Sequence, residues 1–209
     1  MAAMTRDEVI ARLAGGGGFV EEDLSFTDLS GLDLSGQDFS EATMTRANLS
    51  GANLSRANLS EAYMVEVEAN GADFSGATGT RVFFQRALLE GANFSGTDLS
   101  HAQLLICRMQ GADLTDAKLM GAVLIDSNLE SAKLVRTDCT GAIFRGACLE
   151  GAEVNRAALI NADLRKVKFQ GAVFSDVIDE GALFYGKKPW GGSQKDVNYG
   201  DILPYFQED

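Results

Sequence analysis

Every fifth residue from Leu24 to Phe184 falls in one unbroken phase, and nearly all of these residues are large and apolar. The series holds 33 positions without insertion or deletion, and only Ala69, Gly79, Cys139 and Asp179 are not Leu, Phe, Met or Val. Two residues before each centre runs a second row, in which 21 of the 33 positions are Ala. A helix requires apolar residues at a spacing of about 3.6, a strand at about 2 and a coiled coil at about 3.5. A period of five fits none of these, so both rows must face a narrow interior while the other three positions face out. The outer positions agree. Asp, Asn and Ser dominate them, and Gly recurs at the last position of the repeat, as at Gly51, Gly71 and Gly111. Glycine there suits a turn that needs positive φ or close backbone approach. The pattern specifies a solenoid that turns a corner every five residues.

The run Ala-(Asp/Asn)-(Leu/Phe)-(Ser/Thr)-(Gly/X), clearest at 47–62 and 91–100, resembles the pentapeptide-repeat family over residues 22–185. That resemblance implies an all-β solenoid: a right-handed quadrilateral β-helix with four pentapeptides per coil, here about eight coils, its core filled by Leu and Phe ladders. The family it implies is functionally mixed. Some members bind DNA gyrase, confer antibiotic resistance and imitate duplex DNA, while many have no assigned activity. The expected organisation is a capping helix and Gly-rich linker over 1–22, the β-helix over 23–185 and an aromatic, irregular tail over 186–209.

Solenoid ends expose core and unpaired edges, so both require caps. Thr5-Arg6-Asp7-Glu8 has capping-box spacing, and Val9, Ile10 and Leu13 follow as the apolar face of a short helix that Gly15–Gly18 stops. The glycine run lacks the Gly-Lys-Ser/Thr ending and the preceding strand of a phosphate loop. At the other end, Trp190, Tyr199, Tyr205 and Phe206 suit a tail that folds over Phe184; the alternative is a dimer contact. Asp179, at a core-centre position, marks the last coil.

Catalytic and metal constellations are not found. His101 is the only histidine and points outward, and no Cys or His pair has zinc spacing. The chain therefore reads as non-enzymatic, with no cofactor or metal. Cys107 and Cys139 fall at inward positions on different faces and Cys148 at an outward one, so all three are expected as free thiols. Asp33, Asp73 and Asp113 recur at twenty-residue intervals with Asn53 and Asn93 between them, an outer acidic ladder expected to be a hydrogen-bonded stack rather than a cation site. No apolar run is long enough to span a bilayer and the N-terminus lacks a signal peptide, so a cytoplasmic protein without membrane contact is expected.

The formal charge is −12, of which the coil carries −9. Eight coils at ~4.8 Å span ~40 Å, so the wall holds about one net charge per ~4 Å against one per ~1.7 Å for duplex DNA. The charge is also lopsided: residues 23–105 hold 11 acids and 4 bases, and 106–185 hold 11 and 9. Direct binding to nucleic acid is disfavoured, and mimicry of DNA draws support from the N-terminal half alone.

One face departs from the polar wall. Grouping centres by twenty places Tyr63, Val65, Phe83, Leu105, Val123, Ile125, Ile143, Leu183 and Tyr185 as outward neighbours of the centres on a single side. A solenoid core needs nothing apolar outside, so such a strip suggests an interface with a protein partner or a second copy of the chain, unless the aromatic tail folds back along it. The sequence thus favours an interaction scaffold, with a DNA gyrase-binding, DNA-mimicking protein of the quinolone-resistance type as the specific alternative.

Overall fold

The five-residue corner generates the architecture. In most repeats the carbonyl of the centre accepts from the N–H three residues on, as in Leu49 from Ala52 at 2.9 Å and Leu54 from Ala57 at 3.0 Å, which closes a β-turn. A turn of this kind places its third residue at positive φ. All 33 such residues from Glu21 to Gly181 lie in the left-handed region, and 19 of them are not glycine, so the coil imposes this conformation whatever the side chain. Even β-branched Ile106 is held at φ 57° and Phe26 at 61°.

The computed structural model describes residues 3–185. The backbone between corners pairs in parallel with backbone twenty residues away, so Thr43, Tyr63, Phe83, Gln103, Val123 and Ile143 are successive rungs of one side. Each repeat reaches both neighbours. Asn53 N–H donates to Leu32 O at 2.9 Å, Leu54 N–H to Asp73 O at 2.6 Å and Arg56 N–H to Ser75 O at 2.9 Å. Four corners per twenty residues give a four-sided β-solenoid with eight rung-to-rung steps from Asp23 to Leu183. Among the described residues the pairing lengthens into three-residue parallel strands only at β1 (Glu153–Asn155) and β2 (Val173–Ser175), Val154 opposite Phe174.

The core is a column of stacked rungs. Phe74 and Phe94 lie face to face at 4.8 Å, and Phe84 meets both edge-on at 5.8 and 6.1 Å. Volume is conserved locally. Where a centre shrinks to Ala69 or Gly79, the nearby small position enlarges to Val67 or Val82, and a Cβ on Gly79 would stand 3.1 Å from Leu99 and 3.3 Å from Val82. Close-packed interiors require such compensation. Polar residues in the small row are satisfied by carbonyls of the preceding coil: Thr97 donates to Phe74 O at 2.8 Å, Thr137 to Leu114 O at 2.9 Å, and Ser127 to Leu104 O. Cys107 uses its thiol in the same way, to Phe84 O at 2.7 Å. Burial pushes that thiol up to about 12 and raises that of Cys139 as well; both are buried, Cys148 is half-buried, and all three are free.

Helix α1 (Arg6–Ala14) begins at Thr5 with a complete capping box. It seats on the first coil through Arg6, which donates to Asp28 O at 2.8 Å and Ser30 O at 3.1 Å, and through Met4 N–H to Asp23 O at 2.8 Å. Val9 is fully buried and Leu13 packs on the core, but Ile10 is 43% exposed. Residues 9 and 13 share a helical stripe that residue 10 leaves by about 100°. The core also starts one repeat before Leu24: Phe19 is buried, donates its N–H to Asp38 O at 2.8 Å and stacks on Phe39 at 4.9 Å. At the other end Phe169, Phe174 and Asp179 are only half-buried. The tail over 186–209, with Trp190, Tyr199, Tyr205 and Phe206, lies outside the described residues.

Leu114 is fully buried at mid-coil. Leu114→Asp is expected to remove at least about 4 kcal/mol, since it buries an unpaired charge. Native circular dichroism and an unchanged melting temperature would contradict the register. Ile106→Asn, in contrast, is expected to raise the melting temperature, with a gain of about 1 kcal/mol, because Asn accepts the left-handed conformation that a β-branched residue resists.

Candidate protein-interaction face

The outer wall is built from side chains that close the backbone's own hydrogen bonds. Just before 14 of the 33 centres stands Asp or Asn, whose Oδ1 accepts from the N–H just after the centre: Asn53 from Ser55 at 3.0 Å, Asp73 from Ser75 at 2.9 Å, Asn93 from Ser95 at 3.0 Å. That N–H has no place in the inter-coil ladder, so the side chain supplies its acceptor. Adjacent clamps also join. Asn53 donates to Asp33 at 2.9 Å, Asn93 to Asp73 at 2.9 Å, and Lys133 pairs with Asp113 at 3.6 Å. The acidic ladder of Asp33, Asp73 and Asp113 is joined in pairs, Asp33 with Asn53 and Asp73 with Asn93, while Asp113 pairs with Lys133. No group of three His, Cys, Asp or Glu suited to a metal occurs among the described residues.

The clamps hold their carboxyls ionised. Asp23, Asp28, Asp33 and Asp38 sit below the usual carboxylate range, chiefly because the hydroxyls and then the N–H groups of Ser25, Ser30, Ser35 and Ser40 hydrogen-bond the charged form. For Asp113 burial acts the other way, and Thr115 with Lys133 outweighs it.

One side of the coil drops this device over six consecutive rungs, 43 to 143. The structure brings Tyr63, Phe83, Val123 and Ile143 into one outward row, broken by Gln103. Val65, Leu105 and Ile125 form a parallel row, broken by Gln85. The rings of Tyr63 and Phe83 stack at 4.8 Å and 1°. Tyr63 is 48% exposed, and the other six are half-buried. Leu183 and Tyr185 do not join them. Asp163 and Arg165 stand between, locked by two hydrogen bonds of 2.8 and 2.7 Å, so the continuous strip ends at Ile143. Exposed Ile106 widens it at one corner.

Sequence reasoning named Phe83 and Leu105 on this face but missed the polar residues that give it relief. Arg81, Phe83, Gln85, His101, Gln103 and Leu105 line a shallow depression of 520 Å³. The His101 ring lies over the next corner, where a Cβ on Gly121 would come within 2.7 Å of it. The signal was present: Gln85 and Gln103 are the polar breaks in two otherwise apolar rows.

Repeat geometry and sequence converge on one family. The profile for pentapeptide repeats matches in eight copies, over 23–56, 44–78, 57–96, 84–124, 122–159 and 137–176. The chain belongs to the pentapeptide-repeat family. No curated protein sequence matches it. Among solved structures, this pentapeptide-repeat protein is similar to HetL, involved in heterocyst differentiation regulation in the cyanobacterium Nostoc sp. strain PCC 7120, at 25% identity, covering 87% of this chain and 97% of that one with a TM-score of 0.25. It is similar to QnrB1, a plasmid-mediated fluoroquinolone resistance protein, at 21% identity, 88% and 87% coverage and a TM-score of 0.47. Rfr23 of the cyanobacterium Cyanothece 51142 shows 22% identity, 81% and 95% coverage and a TM-score of 0.31. No helix among the described residues is long and apolar enough to cross a membrane.

The lowered aspartates set an acid limit. Their folded pKa lies below the unfolded value, so they add stability that is fully present above the unfolded range and is lost as pH falls through the folded pKa. The melting temperature is expected to hold from neutral pH to about 5 and to fall below about 4. Asp33→Asn with Asp38→Asn keeps both clamps and should flatten the fall; an unchanged profile would contradict this assignment.

Proposed function

We propose that this pentapeptide-repeat protein is a non-catalytic interaction scaffold that docks a protein partner on the side carrying Tyr63 to Ile143. One observation carries the reading: on this side six consecutive rungs, Thr43 to Ile143, carry no clamping Asp or Asn, and four of the six are apolar, although an Asx residue there would satisfy the backbone. The coil loses local hydrogen bonds for a surface that only an interface uses. The family's right-handed winding, a cytoplasmic setting and the 1–22, 23–185 and 186–209 organisation complete the proposal.

The gyrase-binding, DNA-mimicking alternative rests on a different observation. Residues 23–105 hold 11 acids against 4 bases, and the clamps keep Asp23, Asp28, Asp33 and Asp38 charged. Supercoiling by DNA gyrase, titrated with this protein with and without a fluoroquinolone, decides that alternative by inhibition or drug protection.

A photo-crosslinking residue at position 83, compared with one at position 93, tests the scaffold in cells. Adducts are expected from position 83 alone, and Ile125→Ser should abolish them at an unchanged melting temperature. Equal adducts from both positions, or none from position 83, would contradict it.

A further inference from the structure

The missing clamps leave a second feature on the same face. From Thr45 through Val65, Gln85, Leu105 and Ile125 to Arg145, the N–H after each centre donates to no acceptor among the described residues. The coils on either side restore the clamp, at Asp23 with Ser25 and at Asp163 with Arg165, both bonds near 3 Å. Six consecutive outward N–H groups thus form a column at the coil spacing of ~4.8 Å, with apolar side chains alongside. The charge around them is balanced within a chain of net −12: Arg46, Arg81, Arg86 and Arg145 stand with Glu41, Glu61, Glu66 and Asp126, and Arg81 and Arg86 pair with Glu61 and Glu66 at 3.3 and 3.8 Å. Over rungs 83–145 the flat of this side carries Arg145 and no carboxylate, and Arg81, Arg86 and His101 stand at its corners against Asp126.

Donors cannot satisfy donors, so this column disfavours a second copy meeting the same face. Once an interface excludes water from it, the column requires a partner with acceptors. We infer that the face binds an amphipathic helix whose acidic ridge lies on the N–H column and whose apolar ridge lies on Tyr63, Phe83, Val123 and Ile125. A helical ridge at i, i+3, i+7 advances about 5 Å per step, close to the coil spacing. The inference rests on the scaffold reading and names the chemistry of its partner.

The test uses the full chain and two synthetic amphipathic helices with identical Leu ridges, one with a Glu ridge and one with a Lys ridge, followed by fluorescence anisotropy. The Glu peptide is expected to bind about tenfold more tightly. Gln103→Asn should weaken it several-fold and leave the Lys peptide unaffected, since Asn at 103 would clamp the Leu105 N–H as Asn53 clamps Ser55. Circular dichroism of that variant should stay native. Equal binding of both peptides, or indifference to Gln103→Asn, overturns the acceptor requirement and leaves the scaffold reading standing. Binding of neither peptide overturns the inference, and so does a dimer by light scattering that Phe83→Ser with Ile125→Ser dissociates.

Discussion

A backbone that turns every five residues while pairing with backbone twenty residues away must adopt positive φ at every corner, and the rest of the molecule follows from that constraint. The corner sets the width of the coil. A coil that narrow admits one large side chain and one small one per repeat, which accounts for the Leu/Phe and Ala rows. It also strands one N–H per repeat outside the ladder, which accounts for Asp and Asn on the wall, because a short side-chain oxygen reaches back over two residues. Composition here is a consequence of hydrogen-bond closure more than of solubility.

Function in such a coil has to reside in departures from the repeat, since the repeat itself serves the fold. Some departures are structural. Val67 and Val82 fill space left by Ala69 and Gly79, and Thr97, Ser127 and Thr137 find carbonyl partners inside. The run of six open N–H groups beside Tyr63 to Ile143 has no such compensation within the described residues. Ionic pairs do not account for it either, because the corner pairs, such as Arg136 with Asp116 at 2.6 Å, lie on exposed edges where each contributes little.

Most of the architecture could be read from the period. The phase of the centres assigned Cys107 and Cys139 inward and Cys148 outward, and the Thr5–Glu8 spacing located the helix start. Phe19 was in phase as well, five residues before Leu24, but the adjoining glycines read as a linker. Positive φ at Ile106 or Phe26 was invisible, because neighbours in space impose it against the residue's own preference. The apolar strip was visible as a pattern, while its end at Ile143 was not. That end depends on Asp163 and Arg165 closing on each other, a contact between residues that look like ordinary wall charges.

The central claim is that one side of the coil carries N–H groups its own wall does not close. Amide hydrogen exchange resolved by residue tests it most directly. Val65, Leu105 and Ile125 should exchange far faster than Ser55, Ser75 and Ser95, which occupy the same repeat position under Asx clamps, while Leu54, Leu104 and Leu124 in the ladder stay protected. Equal protection of the two groups would contradict the account.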